Sequence, residues 1–229
     1  MNKTIVIIGG STGIGKSLVE KAAQDSSNKI IAFARRDELM KKNFSVLDNV
    51  ITAHIDLEFF NEEKFSKSMA NIGPIDVLIN NAGYLVKNNF ENLSHEDFLK
   101  SYQINVIGIM QAVQIIVPKM NPKGSHIVNI SSMGGFQGSA KFPGLTAYST
   151  SKAALCSFTE LFAEEYKDSS IRMNCLCLGA VQTDMLEEAF PGFNAPHSAE
   201  QIASYIYSFA TTQHEFMNGK IIPVSLSTP

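Results

Sequence analysis

The stretch Thr4-Ile5-Val6-Ile7-Ile8-Gly9-Gly10-Ser11-Thr12-Gly13-Ile14-Gly15 decides the fold. Five consecutive β-branched residues read as a short strand buried on both faces. The glycines that follow permit a tight turn and let backbone approach an anion such as a pyrophosphate with no Cβ in the way. The helical run from Lys16 then has its amino terminus aimed at that anion. Glycines alone suit any tight turn; the position directly after a first strand is what marks a nucleotide cradle. Gly9, Ser11, Thr12, Gly13, Ile14 and Gly15 are therefore candidate binding residues.

Working outward, the same alternation of apolar run and helical pattern continues along the chain. Candidate strands fall at 4–8, 30–34, 50–55, 75–79, 126–130, 171–178 and 220–224. Nearly all apolar and separated by helices, they predict a parallel sheet of about seven strands, helices on both faces. Right-handed crossovers make this a Rossmann-type, doubly wound, three-layer α/β/α fold. No repeat, low-complexity tract or linker interrupts the 229 residues, so 1–229 is expected to be one domain. Residues 94–120 predict a long helix opened by the capping box Ser94 to Asp97. Its apolar residues Phe98, Tyr102, Ile109, Val113 and Ile116 fit either the core or a second subunit.

Net charge is −3 with 18% charged residues and no basic stripe, which argues against nucleic acid or a membrane surface and for a small-molecule partner. The apolar runs are too short to span a bilayer, and no signal-peptide pattern opens the chain, so a cytoplasmic location is expected. Cys156, Cys175 and Cys177 lack metal-type spacing and read as reduced, buried thiols. The histidines are scattered; no metal site is expected.

The end of the second strand bears on the choice of cofactor. An acidic residue there would accept bonds from free ribose hydroxyls and repel a 2′-phosphate. The strand instead ends Ala34-Arg35-Arg36, with no carboxylate before Asp37. Two guanidinium groups suit a 2′-phosphate, which favours NADP(H) and leaves NAD(H) possible; a solvated surface pair is the alternative.

With Gly9, Gly13 and Gly15 at one end and Tyr148-Ser149-Thr150-Ser151-Lys152 further on, the chain resembles the short-chain dehydrogenase/reductase family. Asn80-Asn81-Ala82-Gly83, Asn105 and Ile130-Ser131-Ser132 match its motifs in order, and the likeness spans about residues 3–222. The resemblance implies that Asp56 and Leu57 lie beside the adenine. It further implies that Asn80, with Ala82 and Gly83, helps hold the cofactor. By themselves Asp56 would be a helix cap and Asn80 a turn former. The resemblance also implies a homodimer or homotetramer built on the long helix and the Tyr148 helix.

Reduction of a carbonyl needs a hydride on carbon and a proton on oxygen. Tyr148, titrating near 10 when unperturbed, is a competent acid but a poor base, and Lys152, four residues on along a helix, would lower its pKa. Ser132 matches the residue that bonds the substrate oxygen, with Ser131 bonding local backbone, and Asn105 the one that holds a relay water. In the family the lysine also bonds the nicotinamide ribose. After the sixth strand Leu178-Gly179-Ala180-Val181-Gln182-Thr183 replaces the usual Pro-Gly, which removes one rigid φ and loosens the turn; Gly179, Val181 and Thr183 are still assigned to the cofactor. The complete Asn105, Ser132, Tyr148, Lys152 set favours an oxidoreductase interconverting a carbonyl and a secondary alcohol over a non-catalytic NADP(H)-binding sensor or subunit partner.

Two stretches depart from the family pattern. Residues 133–147, about three longer than is usual, hold Gly134, Gly135, Gly138 and Gly144 as pliable points, with Phe136, Lys141 and Phe142 as candidate substrate contacts. Residues 184–197 carry Met185, Leu186, Phe190 and Phe193, which suit an apolar substrate. The closing run 224–229 lacks the glycine pair that often follows the last strand in relatives.

Overall fold

The computed structural model describes residues 2–226. In chain order its elements are β1 (Thr4–Ile8), α1 (Gly13–Ala23), β2 (Lys29–Ala34), α2 (Asp37–Asn43), β3 (Val50–His54), α3 (Glu62–Met69), β4 (Val77–Asn80), α4 (His95–Tyr102), α5 (Gly108–Ile116) and β5 (Ser125–Ser132). There follow α6 (Thr146–Glu165), β6 (Ile171–Leu178), β7 (Val181–Gln182), α7 (Asp184–Ala189), β8 (His197–Ser198), α8 (Ala199–Thr212) and β9 (Ile221–Val224).

Seven strands form one parallel sheet in the order β3-β2-β1-β4-β5-β6-β9. The chain thus winds outward from β1 in one direction and then in the other, as the doubly wound reading requires. Alternation along β1 shows why the runs are apolar throughout. Ile5 and Ile7 pack with Leu18, Val19, Ile206 and Phe209 of α1 and α8, while Val6 and Ile8 pack with Ile109, Val113, Leu155 and Phe162 of α5 and α6. Both faces are covered at β1, which keeps Ile5 to Ile8 apolar throughout.

The fourth strand starts later than its composition suggests, because Ile75 makes only an isolated bridge to Met120. The fifth runs longer, its last two residues pairing with Cys177 and Leu178. A short parallel pair, β7 with β8, carries no hydrophobic signature in the sequence and closes with a capping box from Ser198 to Gln201.

The long helix is present but interrupted. Its capping box forms as expected, with Ser94 Oγ accepting from Asp97 N at 3.1 Å and Asp97 Oδ2 accepting from Ser94 N at 2.9 Å. Between α4 and α5 lies a π turn over Gln103–Ile107. Such a turn inserts residues into the helical count and shifts the stripe that faces the core. Ile109, Val113 and Ile116 are buried against the sheet, whereas Phe98 and Tyr102 before the turn are half-buried. Val224, at the start of the closing run, accepts a bond from Gly179 N at 2.9 Å; residues 227–229 lie outside the described residues.

Among the described residues no helix is long and apolar enough to cross a membrane.

Candidate active site

A cleft of about 550 Å³ opens beyond the carboxyl ends of β1, β4, β5 and β6, where the strand order reverses. Parallel strands deliver their following loops to one edge, and at the reversal the loops part, leaving a crevice.

One wall is the glycine turn. Gly9 holds φ at +93° and donates its N–H to Phe33 O at 2.7 Å. A Cβ on Gly9 would stand 2.5 Å from Ala82 N, so β1 and β4 could not close here with any other residue. Gly15 is tighter: its Cβ would lie 1.8 Å from Gly9 O. Thr12 caps α1 without a side-chain bond and the first turn holds no acid. Amide donors and the positive end of the helix dipole are thereby left for an anion.

At the outer end of the cleft, Arg36 donates to Thr12 Oγ1 at 2.9 Å, bringing its guanidinium beside the glycine turn. Arg35 lies 3.6 Å from the Glu58 carboxylate, which also pairs with Lys100 at 3.0 Å. Asp37, the first acid after the strand, is engaged elsewhere. His54 lies 3.1 Å away, and its hydrogen bond holds the carboxyl below the ordinary range. Asp56 accepts from Glu58 N at 2.9 Å and Phe59 N at 3.3 Å, so it caps a local turn, while α3 starts later with Asn61 as its cap. Leu57 is buried, with its carbonyl accepting from Gln103 Nε2 at 3.0 Å.

The inner end gathers the titratable residues. Tyr148 and Lys152 sit one turn apart on α6, facing the end of β5. Lys152 is buried and donates to Ile130 O at 2.9 Å; its Nζ is 6.0 Å from the Tyr148 ring centroid. Burial lowers the Lys152 pKa to about 8. Burial also raises the Tyr148 phenol above its ordinary value, and a hydrogen bond with Ser132 opposes the rise. The lowering expected from Lys152 is not found, and burial is the largest influence on the phenol. Ser132 Oγ accepts from Gly134 N at 3.1 Å, which fixes it at the mouth of the strand. Ser131 bonds not local backbone but Lys152 O on α6, at 2.8 Å.

Asn105 is wholly buried in the π turn. Its Oδ1 accepts from Tyr84 N at 2.7 Å, and its Nδ2 donates to Tyr84 O at 2.9 Å and to Ser151 Oγ at 2.9 Å. The side chain clamps the Gly83-Tyr84 backbone against α6.

Several expectations are corrected. Asn80 does not turn its side chain to the cleft: it ends β4 buried, with Nδ2 donating to Asn129 Oδ1 at 2.8 Å. Asn81 takes that place, lining the cleft and donating to Gly9 O at 2.9 Å. Strand alternation, carried one residue past Ile79, was the signal. Ala82, Gly83, Gly179, Val181 and Thr183 all line the cleft. Thr183 also caps α7, accepting from Leu186 N at 3.3 Å. The turn at Gly179 is held by β9 despite the missing proline.

In the 133–147 loop, Lys141 folds back onto the carbonyls of Gly134 at 3.0 Å and Phe136 at 2.6 Å and does not line the cleft. Phe136 packs under the sheet end, and of the three candidate contacts only Phe142 lines the cleft. Gly135 serves close approach, not pliability, since its Cβ would lie 2.6 Å from the Lys152 carbonyl carbon. Opposite, Lys87 was not singled out in the sequence. It donates to Ala189 O at 2.8 Å and lies 3.9 Å from the Phe190 ring centroid, pinning α7 over the cleft. Leu85, Leu145, Met185 and Phe193 complete an apolar inner wall.

Fold and cleft together define a doubly wound nucleotide-binding protein with its reactive groups at the switch point. The family model for short chain dehydrogenases matches residues 3–193, and the chain belongs to the short-chain dehydrogenase/reductase family. It is 31% identical over 245 residues to an oxidoreductase of Thermotoga maritima, covering 97% of this chain and 95% of that one. It is 28% identical to the 3-oxoacyl-acyl-carrier-protein reductase FabG of the same organism, covering 97% and 96%. Among solved structures, ElxO with NADP bound superposes with a TM-score of 0.84 at 25% identity, covering 98% of this chain and 97% of that one. The protein is an NAD(P)-dependent oxidoreductase of this family.

Proposed function

We propose that the protein is an NADP(H)-dependent oxidoreductase that interconverts a carbonyl and a secondary alcohol, with Tyr148 as general acid and base. The observation that carries this reading is the convergence of Tyr148 and buried Lys152 from α6 with Ser132 from β5 in one apolar cleft beside a glycine cradle.

The cradle fits a dinucleotide because Gly9 and Gly15, where a Cβ would strike Ala82 N or Gly9 O, let the turn close tightly, and the α1 amino terminus has no acid of its own. Gly9, Ser11, Thr12, Gly13, Ile14 and Gly15 would hold the pyrophosphate, and Asp56 and Leu57 the adenine. Asn81, Ala82 and Gly83, with the backbone of Asn80, would hold the adjoining ribose, while Tyr148 and Lys152 would hold the nicotinamide ribose. Gly179, Val181 and Thr183 would hold the carboxamide. Arg35 and Arg36 would take the 2′-phosphate; Asp37 is engaged by His54, and Arg35 would exchange the Glu58 carboxylate for the phosphate. When bound, the nicotinamide supplies or accepts a hydride at the carbonyl carbon.

The rest is the chain's own work. Burial keeps the Tyr148 phenol protonated at neutral pH, ready to protonate an oxygen that gains negative charge. Ser132 donates a second hydrogen bond to that oxygen and lowers the cost of its charge. Lys152, with a pKa of about 8, is a cation at neutral pH and favours phenolate after the proton leaves. Asn105 keeps the Tyr84 backbone in place beside them. An apolar or aromatic substrate suits Leu85, Phe142, Leu145, Met185 and Phe193.

The fold is read as one domain over 1–229 that works in the cytoplasm. Exposed Leu99, Ile107 and Met110 on the interrupted helix and Leu161 on α6 support a homodimer or homotetramer through those helices. NADPH oxidation against a panel of ketones, aldehydes and quinones tests the function: turnover of at least one carbonyl by the wild type, lost in Tyr148→Phe, is expected. Equal rates for the two proteins across the whole panel contradict it.

A further inference from the structure

Three thiols from two separate elements meet behind the α6 stripe that carries Tyr148 and Lys152. Cys156 lies one turn beyond Lys152 on that stripe, and Cys175 and Cys177 project from one face of β6. Cys156 Sγ is 3.6 Å from Cys177 Sγ and 3.9 Å from Cys175 Sγ, and all three sulfurs lie within 4.8 Å of one another. All three residues are buried. Ser131 Oγ stands 3.4 Å from Cys156 Sγ while giving its own proton to Lys152 O.

These distances match a tetrahedral metal site. Thiolates bound at about 2.3 Å to a tetrahedral d¹⁰ ion stand about 3.8 Å apart, and a thiolate and an oxygen ligand about 3.5 Å apart. Two of the sulfur pairs and the sulfur–oxygen pair already have that spacing, and the third pair needs to close by at most about 1 Å. A disulfide, in contrast, needs about 2.05 Å. With its hydrogen committed to Lys152 O, the Ser131 hydroxyl has a lone pair to offer once Cys156 loses its proton.

We propose that Cys156, Cys175 and Cys177, with the Ser131 hydroxyl as fourth ligand, bind a soft divalent d¹⁰ cation of the zinc class. Charge balance supports it. Three thiolates and a divalent ion sum to −1, and Lys152, buried one turn before Cys156 on the same helix, supplies the compensating +1. Binding is ligand exchange without oxidation: the cation gains three Cys–S bonds, and each thiol that was protonated releases one proton to solvent. Ligation does not rest on the reaction assigned to Tyr148, although both draw on the Lys152 charge.

Cobalt(II), a spectroscopic stand-in for zinc, tests the site in the reduced full-length chain under anaerobic conditions. The expected result is a sulfur-to-cobalt charge-transfer band with tetrahedral visible bands, saturating at one ion per chain and abolished by an added equivalent of zinc. Cys156→Ala and Cys177→Ala should each lose the charge-transfer band. Far-ultraviolet circular dichroism and NADPH binding serve as folding controls. Should a variant not fold, the wild-type spectrum still decides. Absence of the band in wild type overturns the proposal, as does its persistence in both folded variants. Titration of the denatured chain for free thiols gives three if the site binds metal in reduced form; fewer, marking a disulfide formed during the titration, also overturns it.

Discussion

Gly9→Ala asks whether the glycine turn is a cradle or merely a bend. The added methyl would stand 2.5 Å from Ala82 N and 2.6 Å from Ala82 Cα, both backbone atoms that no side-chain rotation can move aside. At φ +93° an alanine also sits in left-handed space, at a cost of about 1–2 kcal/mol. Forcing the ends of β1 and β4 apart adds about 1–3 kcal/mol, for a total of about 2–5 kcal/mol against a typical stability of about 5–15 kcal/mol. Gly15→Ala should be worse, since its methyl meets Gly9 O at 1.8 Å. Gly73→Ala is the control: nothing lies within 4 Å of its Cβ position, and the change should stay within about 0.5 kcal/mol. Urea unfolding gives the stability loss, and NADPH fluorescence titration gives the affinity. Gly9→Ala should lose most of its NADPH affinity, tenfold for each 1.4 kcal/mol of misfit at the turn. Wild-type NADPH affinity and an unchanged urea midpoint in Gly9→Ala would refute the reasoning.

Three further outcomes are expected. Asn105→Ala strands Tyr84 N and Tyr84 O without their partner and should cost about 2–4 kcal/mol in urea unfolding; a loss under about 0.5 kcal/mol sinks the clamp. His126 is buried, donating through Nδ1 to Ala210 O at 3.0 Å, and its pKa is lowered to about 3 by burial. The unfolded chain binds the extra proton between pH about 6.5 and 3, so the contribution is full above 6.5 and is lost as pH falls, by about 2 kcal/mol at pH 5. The stability of wild type minus that of His126→Gln, followed by urea unfolding from pH 7 to 5, should shrink by that amount; a pH-independent difference contradicts it. Arg35→Ala and Arg36→Ala should each weaken NADPH binding by about tenfold, leaving NADH unchanged. Equal wild-type affinity for the two cofactors in direct titration overturns the NADP assignment.

Most of the sheet was legible because β-branched runs buried on both faces leave a strong signal, and the cradle was legible because glycine spacing is a backbone requirement. Legibility failed where one side chain had to choose between neighbours. Asn80 and Asn81 are chemically alike, and only the pleat of β4 decides that the first turns inward to Asn129 and the second to the cleft. Lys141 had the charge of a substrate contact, but nearby carbonyls of its own loop satisfy it. The π turn around Asn105 leaves no mark in propensity, since its residues suit an ordinary helix. Cys156 is separated from Cys175 and Cys177 by a helix end and a strand start, so their convergence is a property of packing α6 on β6, not of spacing.

The central claim is that Tyr148 carries the proton while a hydride moves to carbon. Deuterium transfer from C4-deuterated NADPH to a ketone turned over by the wild type, measured beside Tyr148→Phe, tests it most directly. The account predicts carbon-bound deuterium in the wild-type product and a rate lower by about 10²–10⁴-fold in a folded, NADPH-binding Tyr148→Phe. Deuterium transfer at an undiminished rate in that variant would contradict it.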